Sequence, residues 1–473
     1  MQGRMNSMET YFINDNVHGH IQLPSYCYDI IDSPQFQRLR ELHQLGCTYF
    51  VFPAARHSRF EHCLGVGHLA GKMVQTLREK QPELEITERE LMLVRIAGLC
   101  HDLGHGPFSH AFEGWVRNRG RAWDHEDMSV KMLHHLVDDN AVDFLEKEDL
   151  AYIGELITGQ PTGSRRTERR FLFDVVSNSR NSVDVDKFDY LMRDGLQLNM
   201  FNFNPERLML HCRVIDDEIC FNSKSCFELY DMFHTRYSLH KKVYSHSVTK
   251  AIEYMMSDAF SLADRALGLS SCLDDPAEYM RLTDGLVRTI ECSKDPDLAA
   301  SRAIIRRIRK RELYKMVESV LVPADRQADA GLLSARDLLP YAREGNVTAD
   351  DLILQQLRVN YALKDRNPVD SVHFYESTHN TRRMVIPREQ VALILPSQFS
   401  EMFLRLFVRD RTRAGPVRAM WSCFLDSQQQ LGLVPSPSLD SATMRPSPLR
   451  VSNSRVATDS PSLASLPRRN LFP

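Results

Sequence analysis

The feature of this chain that most constrains its fold is a helix that must stop at a His-Asp pair. Ile86-Thr87-Glu88-Arg89-Glu90 has the pattern of a helix start, with Thr87 as the cap and Glu90 placed to close a capping box. Leu91, Val94, Ala97 and Gly98 then recur at helical spacing as an apolar face. The run ends in Cys100-His101-Asp102-Leu103-Gly104-His105-Gly106-Pro107-Phe108-Ser109-His110, where glycines break it. The pattern predicts a buried helix that runs out at His101-Asp102. Imidazole nitrogen and carboxylate oxygen suit borderline or hard divalent cations such as zinc, iron, manganese or magnesium, and no thiolate cluster favours a softer one. By itself the pair is weak evidence, since a core histidine and a capping aspartate explain it equally well.

Further segments sharpen it. His57-Ser58-Arg59-Phe60-Glu61-His62 precedes the pair and Asp184-Val185-Asp186-Lys187-Phe188-Asp189-Tyr190 follows it, so His62, His101, Asp102 and Asp186 are candidate metal ligands on separate elements. Arg59 with His62, His101 with His105, and Asp186 with Tyr190 and Asp194 have spacings that place each set on one helix face. Hydrolysis of a phosphate ester also needs a proton for the leaving oxygen. His105, His110 and His125 lie outside the ligand set and are candidates for phosphate binding and proton transfer. Arg59, Lys187 and Arg236 are candidate phosphate clamps, and Arg236, His240 and Tyr244 recur at helical spacing.

The order His, His-Asp, Asp is that of the HD phosphohydrolases. The chain resembles most closely the animal deoxynucleoside triphosphate triphosphohydrolases with sterile-alpha-motif and HD domains. The resemblance is carried by Asp15…His18-Gly19-His20, Ser33-Pro34-Gln35-Phe36-Gln37-Arg38-Leu39-Arg40, Gln44-Leu45-Gly46, Arg59-Phe60-Glu61-His62, Gly98 through His110, and Leu229-Tyr230-Asp231-Met232-Phe233-His234-Thr235-Arg236. It runs from about Asn14 to Leu395-Pro396 and leaves no room for a sterile-alpha-motif domain before Asn14.

The resemblance implies a mainly α HD-domain helical bundle with small β elements and a helical C-terminal extension. It implies conversion of a dNTP and water to deoxynucleoside and triphosphate. The histidine of Trp123-Asp124-His125-Glu126 becomes the general acid, aided by an acid that is aspartate in the family and Glu113 here. Gln44, Leu45, Tyr190, Asp194 and Tyr244 would pack the sugar so that a 2′-hydroxyl has no room, while Ser245 stands where the family has glutamine.

The resemblance also implies GTP and dNTP as activators of a homo-oligomer, dimer to tetramer. Asp32, Gln37 and Arg40 match a guanine-reading set, and Asn14, Val51, Phe52, Arg207, Lys224, Lys242 and His246 match a neighbouring nucleotide site. Tyr11, Asn222 and Val385 replace cations of that pattern, which weakens neutralisation of the bound triphosphates.

Length and composition set the outer bounds. The 473 residues allow one large or two ordinary domains, and 43% hydrophobic content builds a real core. With 59 basic and 62 acidic residues the net charge of −3 gives no global attraction to nucleic acid or anionic lipid. No apolar run has the length of a membrane span and the start lacks a signal-peptide core, so nucleus or cytoplasm is the expected compartment. The ten cysteines lack regular spacing and read as reduced, mostly buried thiols, with a Cys212–Cys220 redox pair as a weaker alternative.

Along the chain, residues 1–10 read as a flexible arm, 11–427 as the catalytic unit, and 428–473, punctuated by Ser-Pro pairs, as a disordered tail. Within the unit the HD core is placed at about 57–195 and a C-terminal lobe at about 250–427. Ile219-Cys220-Phe221 and Met384-Val385-Ile386 are the strand candidates, and the polar stretch 161–170 a surface loop. The basic run Ser301 to Arg311 carries isoleucines at helical spacing and reads as an amphipathic helix with a solvated cationic face; the alternative is contact with single-stranded nucleic acid. Two rival functions remain open, an HD phosphohydrolase acting on another nucleotide and a nucleotide-regulated nucleic-acid-binding module.

Overall fold

The computed structural model describes residues 10–377, 379, 382–392, 394–427 and 434–435. The predicted arm, apart from Thr10, and the predicted tail, apart from 434–435, lie outside them. Thr10 opens a hairpin in which β1 (Thr10–Asp15) pairs antiparallel with β2 (Gly19–Pro24), Asp15 opposite Gly19.

Capping boxes set the starts of the central helices, the expected one at Thr87 and a second at Ser58. Ser58 N–H donates to Glu61 at the head of α1 (Arg59–Lys80). Thr87 N–H donates to Glu90 and Thr87 Oγ1 accepts from Glu90 N–H at the head of α2 (Glu88–Cys100). Leu91, Val94, Ala97 and Gly98 are all buried, and α1 and α2 lie side by side in the main core. Around them pack α3 (His110–Asn118), α4 (His125–Asp139), α5 (Lys147–Thr158) and α6 (Val185–Leu198).

A small sheet follows, with β3 (Cys212–Ile215) antiparallel to β4 (Glu218–Asn222). Then come α7 (Cys226–Leu239), α8 (Ser247–Leu267) and α9 (Ala299–Arg309), which continue the helical body. The chain is thus mainly α, as expected, but the helical C-terminal extension is corrected beyond Arg309. There β5 (Lys315–Val322), β6 (Leu352–Asn360) and β8 (Ser400–Val408) form an antiparallel sheet covered by α10 (Ala414–Ser427), with its own core around Val320, Leu404, Leu406, Trp421 and Phe424. The strand β7 (Phe374–Tyr375) lies parallel to β4, and β9 (Val434–Pro435) pairs with β5, so the predicted disordered tail contains a paired strand. Of the predicted strand 384–386, only Met384 pairs, as a single bridge to Phe374.

Cys212 and Cys220 stand on paired strands but opposite Phe221 and Arg213, and both are free thiols that burial pushes up to about 12. The redox-pair alternative is therefore not supported. In α9 Ile305 and Ile308 are buried, while Arg302, Arg307, Arg309 and Arg311 donate to Asp295 O, Arg409 O, Glu291 and Phe50 O. The buried isoleucines fit the amphipathic reading, but the cationic face is less free than expected, since these four arginines are engaged within the fold. No helix among the described residues is long and apolar enough to cross a membrane.

Candidate active site

The four predicted metal ligands converge from α1, the end of α2 and the first turn of α6. The last residue of α2 is Cys100, and His101 caps it, its Nδ1 donating to the Gly98 carbonyl at 2.9 Å. The turn is braced from α4, where Ser129 Oγ donates to His101 O at 2.6 Å and accepts from Gly104 N–H at 2.8 Å. A Cβ at Gly104 would come within 2.3 Å of His125 O and Ser129 N, so only glycine lets the turn lie against α4. Because the helix has already stopped, His101 and His105 do not share a helix face as their spacing suggested.

His62 Nδ1 is 2.8 Å from Asp189 Oδ2, an imidazole–carboxylate pair of the kind that orients metal-binding histidines. With both Nδ1 atoms committed as donors, each ring in its neutral form presents a lone pair at Nε2. These two Nε2 atoms face one another at 3.2 Å. Lone pairs at that distance repel unless a proton or a metal cation lies between them. Asp186 Oδ1 adds a third ligand atom, 3.1 Å from His62 Nε2 and 3.6 Å from His101 Nε2. Asp102 stands 3.7 Å from His62 Nε2 and 3.6 Å from His101 Nε2. Ligands at about 2.0–2.2 Å from a divalent ion are roughly 3–3.5 Å apart, so the set fits one with slight inward movement of Asp102.

The surrounding carboxylates favour positive charge here, a proton on His62 or the divalent cation that would displace it. Burial opposes charge on His62, but hydrogen bonds to Asp186 and Asp189 outweigh it and hold the ring up at about 10. Burial likewise opposes ionisation of Asp186, and its contacts to His101 and His62 pull it well below the usual carboxylate range.

Asp102 also turns outward to a second cluster. Its Oδ1 is 3.2 Å from His105 Nε2, and Arg59 binds its Oδ2 while donating Nε–H to Ser109 Oγ at 3.0 Å. Ser109 and Phe108 both have φ near +55°, at 55° and 56°, a strained path that swings the chain from the turn into α3. His105 stacks on His125 with centroids 4.0 Å apart, and burial lowers both, His125 to about 4. Glu113 is not the close partner of His125 that was expected. It lies 3.0 Å from His110 and binds Arg117, leaving His125 Nδ1 4.0 Å away.

The predicted sugar and phosphate residues are divided. Asp194 joins His57 Nε2 at 2.6 Å and accepts from Tyr244 O–H, so Asp194 and Tyr244 do meet. They meet because α7 gives way to a π-helical turn over His240–Tyr244, closed by Ser245 N–H to His240 O at 2.9 Å. Arg236, His240 and Tyr244 therefore do not continue one regular helix face. Gln44 and Leu45 lie half-buried at the start of a short 3-10 turn, and Gln44 O accepts from Arg59. Tyr190 lies on α6, one turn from Asp186 and Asp194. Lys187 is held by Asp184 at 3.0 Å, and Arg236 donates to Asn360 O at 2.8 Å.

Among the predicted activator residues, Arg40 Nε–H donates to Gln37 Oε1 at 2.7 Å, Asp32 is exposed, and Phe52 meets His246 edge-on. Asn14, Arg207, Lys224 and Lys242 are exposed, with Arg207 paired to Glu228; Val51 is half-buried.

Sequence reasoning missed the outer layer: Asp189, Arg193, His18, His57, Ser129 and Asp284, which binds His43 and Phe108 N–H. Only the Asp189–Arg193 spacing of four carried a readable signal. Room for that pair depends on Gly65, where a Cβ would sit 1.8 Å from Asp189 Oδ1 and 2.7 Å from Arg193 Nη2. Gly65→Ala is expected to lower stability by about 1–3 kcal/mol, read as a fall in Tm; an unchanged Tm contradicts the packing described.

A model of the HD domain matches residues 59–194. A Dictyostelium discoideum protein named deoxynucleoside triphosphate triphosphohydrolase SAMHD1 homolog is 49% identical over 430 residues, covering 90% of this chain and 82% of its own length. The Danio rerio and Homo sapiens proteins named deoxynucleoside triphosphate triphosphohydrolase SAMHD1 are each 40% identical, over 438 and 440 residues, covering 84% of this chain and 70% of their own lengths. Identity sustained across the HD core and far beyond it places this chain in the SAMHD1 family of HD-domain deoxynucleoside triphosphate triphosphohydrolases.

Proposed function

We propose that the protein hydrolyses deoxynucleoside triphosphates to deoxynucleoside and triphosphate at a divalent-metal site formed by His62, His101, Asp102 and Asp186. The observation that carries this reading is the cluster of His62 Nε2, His101 Nε2 and Asp186 Oδ1, mutually 3.1–3.6 Å apart with both Nδ1 atoms already committed, the spacing of ligands around one ion. When bound, such a cation neutralises phosphate charge and makes water a stronger nucleophile at neutral pH.

The remaining work falls to the chain's own residues. Arg59, fixed by Asp102, Ser109 and Gln44, offers its guanidinium to phosphate, with Lys187 and Arg236 as further cations. Gln44 Oε1 is buried with no hydrogen-bond partner among the described residues, an acceptor that a sugar hydroxyl would satisfy. Asp194, Tyr244, Tyr190 and Leu45 close the sugar side. The test is to compare hydrolysis of dGTP and GTP: the deoxy substrate is expected to be cleaved and the ribonucleotide spared, and equal rates would contradict the sugar assignment.

Burial disfavours the charged forms of His105 and His125 and lowers both. A triphosphate brings negative charge beside them, which raises both. Since the free-site value of His125 is about 4, its ring starts unprotonated at pH 7, and binding takes up as much as about one proton. Binding therefore tightens as pH falls. Calorimetry with a non-hydrolysable dNTP in buffers of different ionisation enthalpy should give different heats; identical heats would refute the linkage.

Activation by GTP and dNTP, through assembly of dimers into tetramers, is proposed from Asp32, Gln37 and Arg40 and from the group around Phe52 and His246. The guanine N1–H and N2–H₂ donors need an acceptor, and Asp32 is exposed, next in sequence to Ile31, whose carbonyl accepts from Gln37. Asp32→Ala should remove the preference for GTP over ATP as activator, seen as superimposable activation curves; a retained preference assigns guanine reading elsewhere. An independent role in binding single-stranded nucleic acid gains no support from α9, where Arg302, Arg307 and Arg309 are bound internally.

A further inference from the structure

The metal ligand His62 is held from behind by a buried network that leaves the HD core and ends in the N-terminal hairpin. Asp189 is fully buried and receives four contacts: His62 Nδ1 at 2.8 Å, Arg193 through Nε and Nη2 at 2.9 Å each, and His18 Nε2 at 2.6 Å. Arg193 is itself fully buried, and its free edge reaches out of the HD core, donating from Nη1 to Asp15 Oδ2 at 2.9 Å and to Asn16 Oδ1 at 3.4 Å. Asp15 is the last residue of β1, and its Oδ1 also accepts Val17 N–H and His18 N–H at 2.8 Å each, which closes the hairpin tip. The same carboxylate thus shapes the tip that delivers His18 and neutralises the arginine that orients Asp189.

The hairpin is seated in the main core by the fully buried Ile21 and Leu23, with Ile13 packed half-buried against it. Its two strands pair only with each other, Phe12 is 67% exposed, and the inward side chains are chiefly Ile21 and Leu23. A two-stranded hairpin of this size is marginal on its own. Its polar anchors are Asp15 and His18, and both of those contacts terminate on groups that set His62.

We infer that Arg193 is a positioning residue for the metal ligand His62, and that the β1–β2 hairpin is a clasp, through Asp15 and His18, on which retention of the metal depends. The inference rests on the metal-site reading above. Losing the clasp frees the Asp189–Arg193 pair to rotate or admit water, so His62 Nε2 is no longer fixed toward His101 and Asp186. Reciprocity requires that metal, by favouring the fixed ring, also favour the docked hairpin.

The test uses the full-length chain with Mn²⁺ or Co²⁺ alone as probe and a competing chelator to set the free ion. Asp15→Asn, which keeps the shape but not the charge, and His18→Gln are expected to weaken metal binding by about 10- to 100-fold, the range of lost outer-layer contacts, and to alter the Co²⁺ absorption spectrum. Arg193→Lys, which keeps the charge but loses the two-pronged contact, should do the same. In the wild type, hydrogen exchange of residues 10–24 should slow on metal addition, and this measurement decides the matter if a variant fails to fold. Wild-type affinity and spectrum in Asp15→Asn and His18→Gln, or exchange of the hairpin indifferent to metal, would overturn the clasp while leaving the metal site standing. A wild-type protein that binds neither ion overturns both.

Discussion

Replacing His101 and Asp102 together by alanine is expected to strip the protein of its divalent metal and to abolish hydrolysis. The double change removes one of the two Nε2 lone pairs and the carboxylate that lies against both histidines, leaving His62 and Asp186 as an incomplete pair. Two remaining ligands do not hold a catalytic ion, for which three or more are needed. The loss of rate should reach the detection limit, and elemental analysis should find no stoichiometric metal. Folding should survive, because the turn is braced through backbone groups, His101 O and Gly104 N–H on Ser129. A double variant with wild-type activity and no metal would remove the basis of the site assignment.

The second large effect separates proton transfer from metal binding. His125→Ala is expected to lower turnover by about a hundred- to ten-thousand-fold, the range of a lost general acid, with metal content unchanged. His125 touches none of the four ligands within hydrogen-bonding distance; it stacks on His105, which contacts Asp102. Because Glu113 sits 4.0 Å from His125 and binds His110 and Arg117 instead, Glu113→Gln should cost far less than His125→Ala. Metal loss in proportion to activity in His125→Ala would make it a ligand and not an acid.

Much of the site was legible because it depends on local rules. The capping box at Thr87 and Glu90 and the apolar face behind it dictate where α2 begins and which way it turns, and the glycines at 104 and 106 dictate that it ends. Spacing of four along α6 placed Asp186, Tyr190 and Asp194 on one face, because that helix is regular throughout. The same rule failed at His101/His105 and at Arg236/His240/Tyr244, where a turn and a π-helical segment replace regular helix. Periodicity carries no sign of either.

The C-terminal sheet was hidden for a different reason. Ser400–Val408 is buried on both faces and reads as a nearly continuous apolar run, without the alternation that marks a half-exposed strand. The clasp residues were hidden because they are paired in space and not in sequence: Asp15 and Arg193 lie 178 positions apart. No local pattern reports such a contact, although Asp15 and His18 stand in the opening stretch of the family resemblance.

The most direct measurement is the product balance of the purified protein, first freed of metal and then reloaded, incubated with each dNTP. Metal-dependent release of deoxynucleoside and inorganic triphosphate in equal amounts is the predicted result, as the four-residue site and the arginine beside it require. Release of monophosphate with diphosphate, or equal rates with and without metal, would contradict it.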